Sequence, residues 1–392
     1  MNIPEKSKNV IMNTYARYPI ALVKGQGSYV FDEDGNQYLD FISGISVNNL
    51  GHCHPDIVAA VQNQAASMLH CSNLFWSEPQ LNLAEKLVAK SGLGKVFFAN
   101  SGAEANEGAI KLARKYFFDQ GKESKNTIIT MDKSFHGRTL ATLTATGQDK
   151  VKVGFSPLMP GFKYVPFNDF AALKKAITPD VAGIMLEPVQ GEGGVHPGDG
   201  EYLKKVRTLC DEKEILLIFD EIQCGLGRCG ALFCYENYGV LPDIVTLAKA
   251  LGGGIPMGAF IATDEVAASF GNGTHGSTFG GNPIAAAAGN QYLTILEKEN
   301  IIDNVKVMSK YLQEKLKKIP STKIVDVRGM GLLIGIEVSC GSGSIVQCCF
   351  NNGLLVLAAG ADVVRLLPPL NCTKTQIDEA VKILEKAIME DE

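Results

Sequence analysis

The sequence has 392 residues, of which 46% are hydrophobic and 20% are charged, with a formal net charge of −5 at pH 7. This apolar content excludes an intrinsically disordered chain, and the acidic balance argues against a basic surface for nucleic acid. Glycine is abundant: 18 of the 41 glycines lie within residues 191–281. Because they show no Gly-X-Y period, collagen is excluded, and the cluster indicates sharp turns or backbone close to a ligand.

The cysteines and the N-terminus indicate the cellular compartment. The ten cysteines are scattered along the chain, unlike the dense pairs of a small secreted domain. The first twenty residues contain no apolar core, so no signal peptide is predicted. The uncharged stretches 276–296 and 338–361 are interrupted by Gly, Asn, Gln and Ser, which argues against membrane spans. We expect a cytoplasmic protein with reduced thiols.

In chain order, the first predicted element is a β-hairpin over Gly27–Asp40 that turns at Asp34-Gly35. From about residue 95, short apolar runs alternate with longer helical patterns, which is typical of a sheet covered by helices. The strands predicted in this block are Val96–Ala99, Thr127–Met131, Ala182–Leu186, Ile215–Phe219, Ile244–Leu247 and Ala259–Ala262. The elements predicted after it are helices at Ile284–Glu299 and Ile301–Lys317, strands at Lys323–Val327, Gly331–Val338 and Val363–Leu366, and a helix at Thr375–Met389.

The order of these elements predicts an α/β fold with two domains. We expect a large domain, residues 61–285, with a mainly parallel central sheet and helices on both faces. A small α+β domain would be built from both chain ends, residues 1–60 and 286–392. Ligands of an open α/β sheet bind beyond the carboxyl ends of its strands. The residues that follow each predicted strand are therefore the first candidates for a site.

Three predicted strands are followed by residues that could bind a ligand or take part in catalysis. The first leads into NSGAEANE, residues 100–107, whose small side chains would expose N–H groups to a phosphate at a helix N-terminus; an ordinary helix cap is the alternative. Another strand ends at Asp220, which would pair with a protonated ring nitrogen, cap a helix or form an ion pair. A third is followed by Lys249 and a triple glycine. Lysine there suits Schiff-base chemistry, although most lysines are solvated at the surface.

Together, a phosphate cradle, an aspartate and a lysine fit bound pyridoxal 5′-phosphate (PLP). The lysine would form an imine with the aldehyde, and the aspartate would keep the pyridine nitrogen protonated. Six motifs then resemble those of the class III (ω-) aminotransferases and occur in that family's order. The motifs are NSGAEANE at 100–107, SFHGRT at 134–139, EPVQGEGG at 187–194, FDEIQCGLGR around Asp220, AKALGGGIPMGA around Lys249 and STFGGNP at 277–283.

This resemblance covers almost the whole chain, beginning at GSYVFDEDGNQYLDF, and implies the fold-type I architecture of PLP-dependent transferases. It implies that Lys249 carries the Schiff base and moves a proton between Cα and C4′, and that Asp220 pairs with the pyridine nitrogen. The residues that it assigns to the cofactor are Ser101, Gly102, Ala103, Phe135, Asp220, Glu221, Gln223, Lys249 and Thr278. It implies a homodimer in which Thr278 reaches the phosphate in the partner subunit.

The resemblance also implies how substrates are held. Arg138 would bind one substrate carboxylate and Arg365 the α-carboxylate, while Glu192 would mask or release Arg365 as substrates alternate. Ser277 would lie near the substrate. Paired N–H donors of arginine suit carboxylates because they form two parallel hydrogen bonds. No metal is predicted at the site.

Within the family, the compact length and the segments GHCHP and HCSNLFWSEPQ are most similar to members that act on N-acetylornithine. This similarity implies transfer of the δ-amino group to 2-oxoglutarate, giving N-acetylglutamate 5-semialdehyde and glutamate, in arginine biosynthesis. Ornithine, N-succinylornithine, acetyl-lysine-type substrates and 4-aminobutyrate are the alternatives. Trp76 replaces the Tyr or Phe expected in the family, which leaves the acyl pocket undefined.

Other classes of protein predict different sequence features. A PLP-dependent isomerase or decarboxylase would share the fold, whereas a non-catalytic regulator would be expected to lack Lys249 or an arginine and to carry a DNA-binding domain. The GLGRCG at residues 225–230 matches a dinucleotide loop, but it does not join a strand directly to a helix. The HCH at residues 52–54 and the cysteines spaced from Cys224 lack zinc-site spacing. His136 is interpreted as structural.

Overall fold

The computed structural model describes residues 3–390, and its elements follow the predicted order. The strands are β1 (Leu22–Gln26), β2 (Tyr29–Asp32), β3 (Gln37–Asp40), β4 (Lys95–Ala99), β5 (Thr127–Met131), β6 (Phe162–Val165), β7 (Val181–Leu186), β8 (Val189–Gln190), β9 (His196–Pro197), β10 (Leu216–Asp220), β11 (Ile244–Leu247), β12 (Gly258–Ala262), β13 (Ile324–Met330), β14 (Leu333–Val338), β15 (Leu354–Leu355), β16 (Leu357–Ala358) and β17 (Val363–Leu366).

The helices are interleaved with these strands. The α-helices are α1 (Ile3–Ser7), α2 (Ser43–Ser46), α3 (Pro55–Ser67), α4 (Glu78–Ser91), α5 (Gly102–Asp119), α6 (Leu140–Ala145), α7 (Phe170–Ala176), α8 (Gly200–Lys213), α9 (Asp264–Ala267), α10 (Pro283–Lys298), α11 (Ile301–Leu316), α12 (Ser342–Asn351) and α13 (Lys374–Glu390). Short 3-10 helices cover Asp149–Val151, Cys234–Tyr238 and Lys249–Gly252. None of the helices within residues 3–390 is both long and apolar enough to cross a membrane.

The central sheet has seven strands in the order β4-β12-β11-β10-β7-β5-β6. Its strands are parallel except β12, which is antiparallel to both of its neighbours. The predicted α/β fold class is thus confirmed, with each predicted strand of the block found within one or two residues. The edge strand β6 was not predicted, because its residues are only partly buried and give no apolar run.

Helices cover both faces of this sheet, as the alternation of its side chains shows. In β10, Leu217 and Phe219 belong to one buried cluster, which also contains residues of α4, α8 and α10. Ile218, between them, belongs to a second cluster with the buried face of α5. Successive residues of a strand point to opposite faces, so the entirely buried pattern of β10 follows from helices on both sides.

Two four-stranded sheets lie outside the central sheet, and only the first of them pairs N-terminal with C-terminal strands. The first has the order β1-β2-β3-β15, with β15 parallel to β3, and the second has the order β13-β14-β17-β16. The predicted hairpin is present in β2 and β3, and its turn is held by the carboxylate of Asp32, which accepts N–H bonds from Asp34 and Asn36. The division into residues 1–60, 61–285 and 286–392 stays a prediction; its boundaries fall inside α3 and α10, which pack together.

The segment labelled α2 is a single left-handed turn. Ser43–Ser46 have φ angles between 49° and 62°, and only one of the four residues is glycine. Left-handed backbone costs a residue with a side chain roughly 1–2 kcal/mol. Because of this cost, tertiary contacts must hold the turn in place. The turn directly precedes Val47, a residue of the cavity described below.

Arg228 provides such a contact from the turn that follows β10. Its guanidinium is fully buried and donates hydrogen bonds to the side chains of Ser46 and Asn49 near the N-terminus. It also donates to the carbonyl oxygens of Leu332 and Pro368 in the C-terminal part of the chain. One side chain thus links three distant segments around the site.

Arg228→Ala is expected to lower the free energy of unfolding by at least about 3 kcal/mol, because four buried acceptors lose a charged donor. Urea denaturation would measure the change. Arg17→Ala serves as the control, since Arg17 is exposed and surface substitutions shift stability by about 0.5 kcal/mol or less. A loss below about 1 kcal/mol for Arg228→Ala would contradict the role given to its four bonds.

Candidate active site

One cavity of about 440 Å³ lies at the edge of the central sheet where β4, β5, β7, β10 and β11 end. Its position matches the rule that open α/β sheets bind ligands beyond the carboxyl ends of their strands. The predicted residues that line it are Ser101, Gly102, Ala103, Phe135, Arg138, Glu192, Asp220, Gln223 and Lys249. These residues come from five strand ends or the loops after them, so the fold brings distant parts of the chain to one wall.

Asp220 is the last residue of β10 and is 3% exposed. Its Oδ2 accepts hydrogen bonds from Nδ2 of Asn106, at 2.8 Å, and from Nδ1 of His136, at 2.7 Å. Its Oδ1 accepts the N–H of Ile222, at 3.0 Å. Burial lowers the pKa of His136, but the bond and the charge of Asp220 outweigh it and the net shift is upward. This network fixes the carboxylate at the cavity wall.

The turn between β4 and α5 is built to bind an anion. Ser101 is the N-cap of the 18-residue helix α5, and its Oγ accepts the N–H of Glu104. The first N–H groups of a helix have no partner within it, so those of Gly102 and Ala103 are free for a phosphate. Gly258, the first residue of β12, packs so closely that a Cβ would lie 2.2 Å from the carbonyl oxygen of Ser101. Only glycine permits that approach.

Lys249 follows β11 after one residue and lines the same cavity. Its φ of 51° places it in the left-handed region, which is rare for lysine and common at functional sites. Removal from water lowers the pKa of its ammonium group to about 8, although the charges of Glu192 and Asp220 oppose the shift. A larger fraction of this amine is therefore uncharged, and nucleophilic, near neutral pH than for an exposed lysine.

Arg365 lies on β17, in the C-terminal sheet, and is 2% exposed; it does not line the cavity but contacts two residues that do, Glu192 and Gln223. Its Nη1 donates to Oε1 of Glu192, at 2.7 Å, and to Oε1 of Gln223, at 3.1 Å. Burial raises the pKa of the Glu192 carboxyl, but the charge of Arg365 and its hydrogen bond lower that pKa by more, so the net shift is downward. Within residues 3–390, the buried Nε of Arg365 has no acceptor. The guanidinium thus retains donor capacity for a substrate carboxylate.

Phe135 and Arg138 lie on the loop after β5. The guanidinium carbon of Arg138 is 5.5 Å from the centroid of the Phe135 ring. Arg138 is exposed, and no carboxylate of the described chain lies within ion-pair distance of it. It is therefore free to meet an anionic substrate at the cavity mouth.

The structure does not bring every predicted residue to this cavity. Glu221 is fully buried on the far side of the strand end, and its oxygens accept the N–H groups of Cys234 and Tyr235, at 2.6 and 2.7 Å. Because it directly follows Asp220, its side chain points the opposite way. A direct cofactor contact for Glu221 is thus not supported, and its burial raises its pKa to about 8.

Ser277 and Thr278 also lie outside the cavity lining. The hydroxyl of Ser277 accepts a hydrogen bond from Nδ2 of Asn100, which does line it, at 3.0 Å. Thr278 is exposed. Its assignment to the site of a partner subunit stays a prediction.

Sequence reasoning missed three residues that shape the site. Asn106 and His136 both donate hydrogen bonds to Asp220, and only the folded chain brings these segments together. His136 is interpreted as structural from the sequence, and in the structure its partner is Asp220. Glu187 directly follows β7 and lines the cavity. The strand-end rule that singled out Asp220 would have found it. Burial raises the pKa of Glu187 to about 7, against the opposing charge of His136.

These groups fit PLP. The free N–H groups after Ser101 suit its phosphate, the buried carboxylate of Asp220 suits a protonated ring nitrogen, and the uncharged amine of Lys249 suits its aldehyde. The unused Nε of Arg365 suits a substrate carboxylate beside it.

Comparisons with known proteins agree with this site. The aminotransferase class-III family matches residues 10–388. An acetylornithine aminotransferase of Caldanaerobacter subterraneus subsp. tengcongensis is 52% identical over 386 residues, which are 98% of this chain and 98% of that protein. The solved N-acetylornithine aminotransferase of Stenotrophomonas maltophilia K279a is 42% identical, with a TM-score of 0.85 over 96% of this chain and 97% of its own.

A structure of the ornithine aminotransferase of Toxoplasma gondii is similar over 98% of this chain and 93% of its own, with a TM-score of 0.95 and 33% identity. That structure has PLP at partial occupancy in its active site. Fold and site thus define an aminotransferase. The chain belongs to the class III aminotransferase family, and the predicted resemblance is confirmed.

Proposed function

We propose that this chain binds PLP and transfers the δ-amino group of N-acetylornithine to 2-oxoglutarate, giving N-acetylglutamate 5-semialdehyde and glutamate. The observation that carries the proposal is the convergence of Lys249, Asp220 and the N-terminus of α5 on one cavity, beside an arginine with unused donors. These are the groups that a phosphorylated pyridine aldehyde and a carboxylate substrate require.

PLP, when bound, supplies a protonated ring that withdraws electrons from the substrate carbon next to the amine. The chain's own residues would do the rest. Asp220, ionised and held by His136 and Asn106, would keep the proton on the ring nitrogen. The amine of Lys249 would take a proton from the substrate carbon that bears the amine and deliver it to the former aldehyde carbon of the cofactor. Phe135 would pack on one face of the ring and exclude water.

Two arginines would bind the carboxylates of the two substrates. Arg138, at the cavity mouth, would bind the carboxylate of N-acetylornithine while Glu192 occupies Arg365, the arrangement present in the structure. 2-Oxoglutarate has two carboxylates, so its α-carboxylate would displace Glu192 from Arg365 while Arg138 takes the other. The Glu192–Arg365 pair therefore matches one site to donors with one carboxylate and acceptors with two.

The choice of amino donor rests on the relatives. The relative that is 52% identical is an acetylornithine aminotransferase. The T. gondii ornithine aminotransferase has a TM-score of 0.95, above the 0.85 of the S. maltophilia acetylornithine enzyme, but it is only 33% identical. Ornithine is therefore the second candidate. The test is a half-reaction screen: cofactor-loaded protein is mixed with single amines, and loss of the visible absorbance of the lysine-bound cofactor is followed. N-acetylornithine should react fastest; faster reaction with free ornithine would overturn the donor assignment.

We also infer a homodimer. Around α4 and the loop before α10, large apolar side chains are exposed, including Leu74, Phe75, Trp76 and Phe279. Several exposed large apolar side chains are typical of an interface, and a second copy there would let Thr278 contribute to its partner's site. Six cysteines are buried as free thiols, which accords with a cytoplasmic location; they are Cys210, Cys224, Cys229, Cys234, Cys349 and Cys372. Sedimentation equilibrium should give twice the chain mass of 42.1 kDa.

Arg365→Lys is expected to raise KM for 2-oxoglutarate about 10- to 100-fold, because a single ammonium replaces the paired donors of the guanidinium. Steady-state kinetics at saturating N-acetylornithine would measure this. Arg207→Lys is the control, since Arg207 pairs with Asp211 and Asp243 outside the cavity. Equal KM values for the two variants would refute a carboxylate contact at Arg365.

A further inference from the structure

Glu187 is a buried carboxylate that bridges two loops of the site. It directly follows β7 and is 5% exposed. Its Oε1 accepts the N–H of Phe135, at 2.9 Å, on the loop after β5. Its Oε2 accepts the N–H of Gly191, at 3.3 Å, on the loop between β8 and β9. Each oxygen therefore holds a different loop.

The two loops carry different functional groups. Phe135 faces the cavity where the cofactor ring is proposed to lie, and Gly191 directly precedes Glu192, which pairs with Arg365. Both bonds come from backbone N–H groups, so they fix the loops themselves and not only single side chains. In its ionised form Glu187 makes charge-assisted bonds to both N–H groups, and such bonds are stronger than bonds between neutral groups.

We propose that Glu187 is a positioning residue that sets the distance between the ring-stacking Phe135 and the Glu192–Arg365 pair. An ordinary strand-end cap would affect stability alone. Glu187, in contrast, would affect how well the site exchanges one substrate for the other. The kinetic part of this proposal rests on the proposed function; the structural part does not.

The first test uses hydrogen–deuterium exchange of the cofactor-free chain. In E187Q the side chain keeps one acceptor oxygen and loses the other, so the amide of Phe135 or of Gly191 loses its partner. We expect peptides covering residues 132–138 or 189–194 to exchange about tenfold faster, because a charge-assisted bond is lost. Unchanged exchange in both peptides would overturn the proposal.

The matched control is D32N. Asp32 is 4% exposed, and its Oδ1 accepts the N–H groups of Asp34 and Asn36, at 3.0 and 2.8 Å, in the hairpin far from the cavity. D32N should change exchange only in the hairpin and leave kcat/KM unaltered. Exchange at 132–138 or 189–194 that rises equally in D32N would show a global effect and would also overturn the proposal.

The second test uses the cofactor-loaded enzyme. We expect E187Q to lower kcat/KM for 2-oxoglutarate about tenfold while its melting temperature falls no more than that of D32N. E187D, which keeps the charge but reaches only one N–H, should show an intermediate loss and replaces E187Q if that variant does not fold. Kinetics of both variants equal to wild type would overturn the proposal. A wild type without transamination would refute the proposed function instead, and the exchange test would still decide the role of Glu187.

Discussion

Lys249→Ala is expected to lower transamination more than about 10³-fold, because one substitution removes both the covalent attachment and the proton carrier. Glutamate formation from 2-oxoglutarate measures the rate. Absorbance provides a second readout, since the variant should lack the visible band that PLP gains when bound to a lysine. The weakened basicity of Lys249, with a pKa lowered to about 8 by burial, makes its amine available for this chemistry.

The matched control for this variant is Lys152→Ala. Lys152 is also buried, at 9% exposure, but it packs near Tyr164 outside the cavity. It should keep the visible band and the wild-type rate. Substantial turnover or a normal visible band in Lys249→Ala would show that another group carries the chemistry.

Asp220→Asn is expected to lower kcat about 10²- to 10⁴-fold, because loss of a buried charge partner costs about 3–5 kcal/mol. The amide has nearly the same shape but no charge to hold a proton on the ring nitrogen. It also leaves His136 without the carboxylate that raises its pKa. Single-turnover kinetics would separate this effect on chemistry from any change in cofactor affinity.

Asp243→Asn controls for the loss of a carboxylate near a strand end. Asp243 accepts the N–H of Leu217, at 2.7 Å, and pairs with Arg207, but it does not line the cavity. We expect a loss of stability with kcat preserved. If Asp220→Asn retained kcat within about threefold, the ring-nitrogen partnership would be refuted.

Much of this site could be predicted because its main groups follow strands directly in the sequence. Lys249 and Asp220 stand at the ends of apolar runs, and parallel strands bring such ends to one edge. One part of the glycine excess is explained at Gly258, where the backbone of β12 touches the backbone of the turn between β4 and α5.

The remaining features depend on contacts that no local pattern encodes. Asn106 and His136 meet at Asp220 only because α5 and the loop after β5 pack over the end of β10. The orientation of Glu221 is a further feature of this kind, since the motif that contains it gives no indication of which side its carboxylate faces. Burial on one side of the strand end turned it towards Cys234.

Transfer of the δ-amino group from N-acetylornithine to 2-oxoglutarate can be followed atom by atom with an isotope label. N-acetylornithine carrying ¹⁵N at the δ position would be incubated with 2-oxoglutarate and cofactor-loaded protein, and glutamate would be analysed by mass spectrometry. We expect ¹⁵N-glutamate in amounts equal to the semialdehyde formed, and none with Lys249→Ala. Unlabelled glutamate only, or no glutamate from a protein that holds PLP, would contradict this transfer.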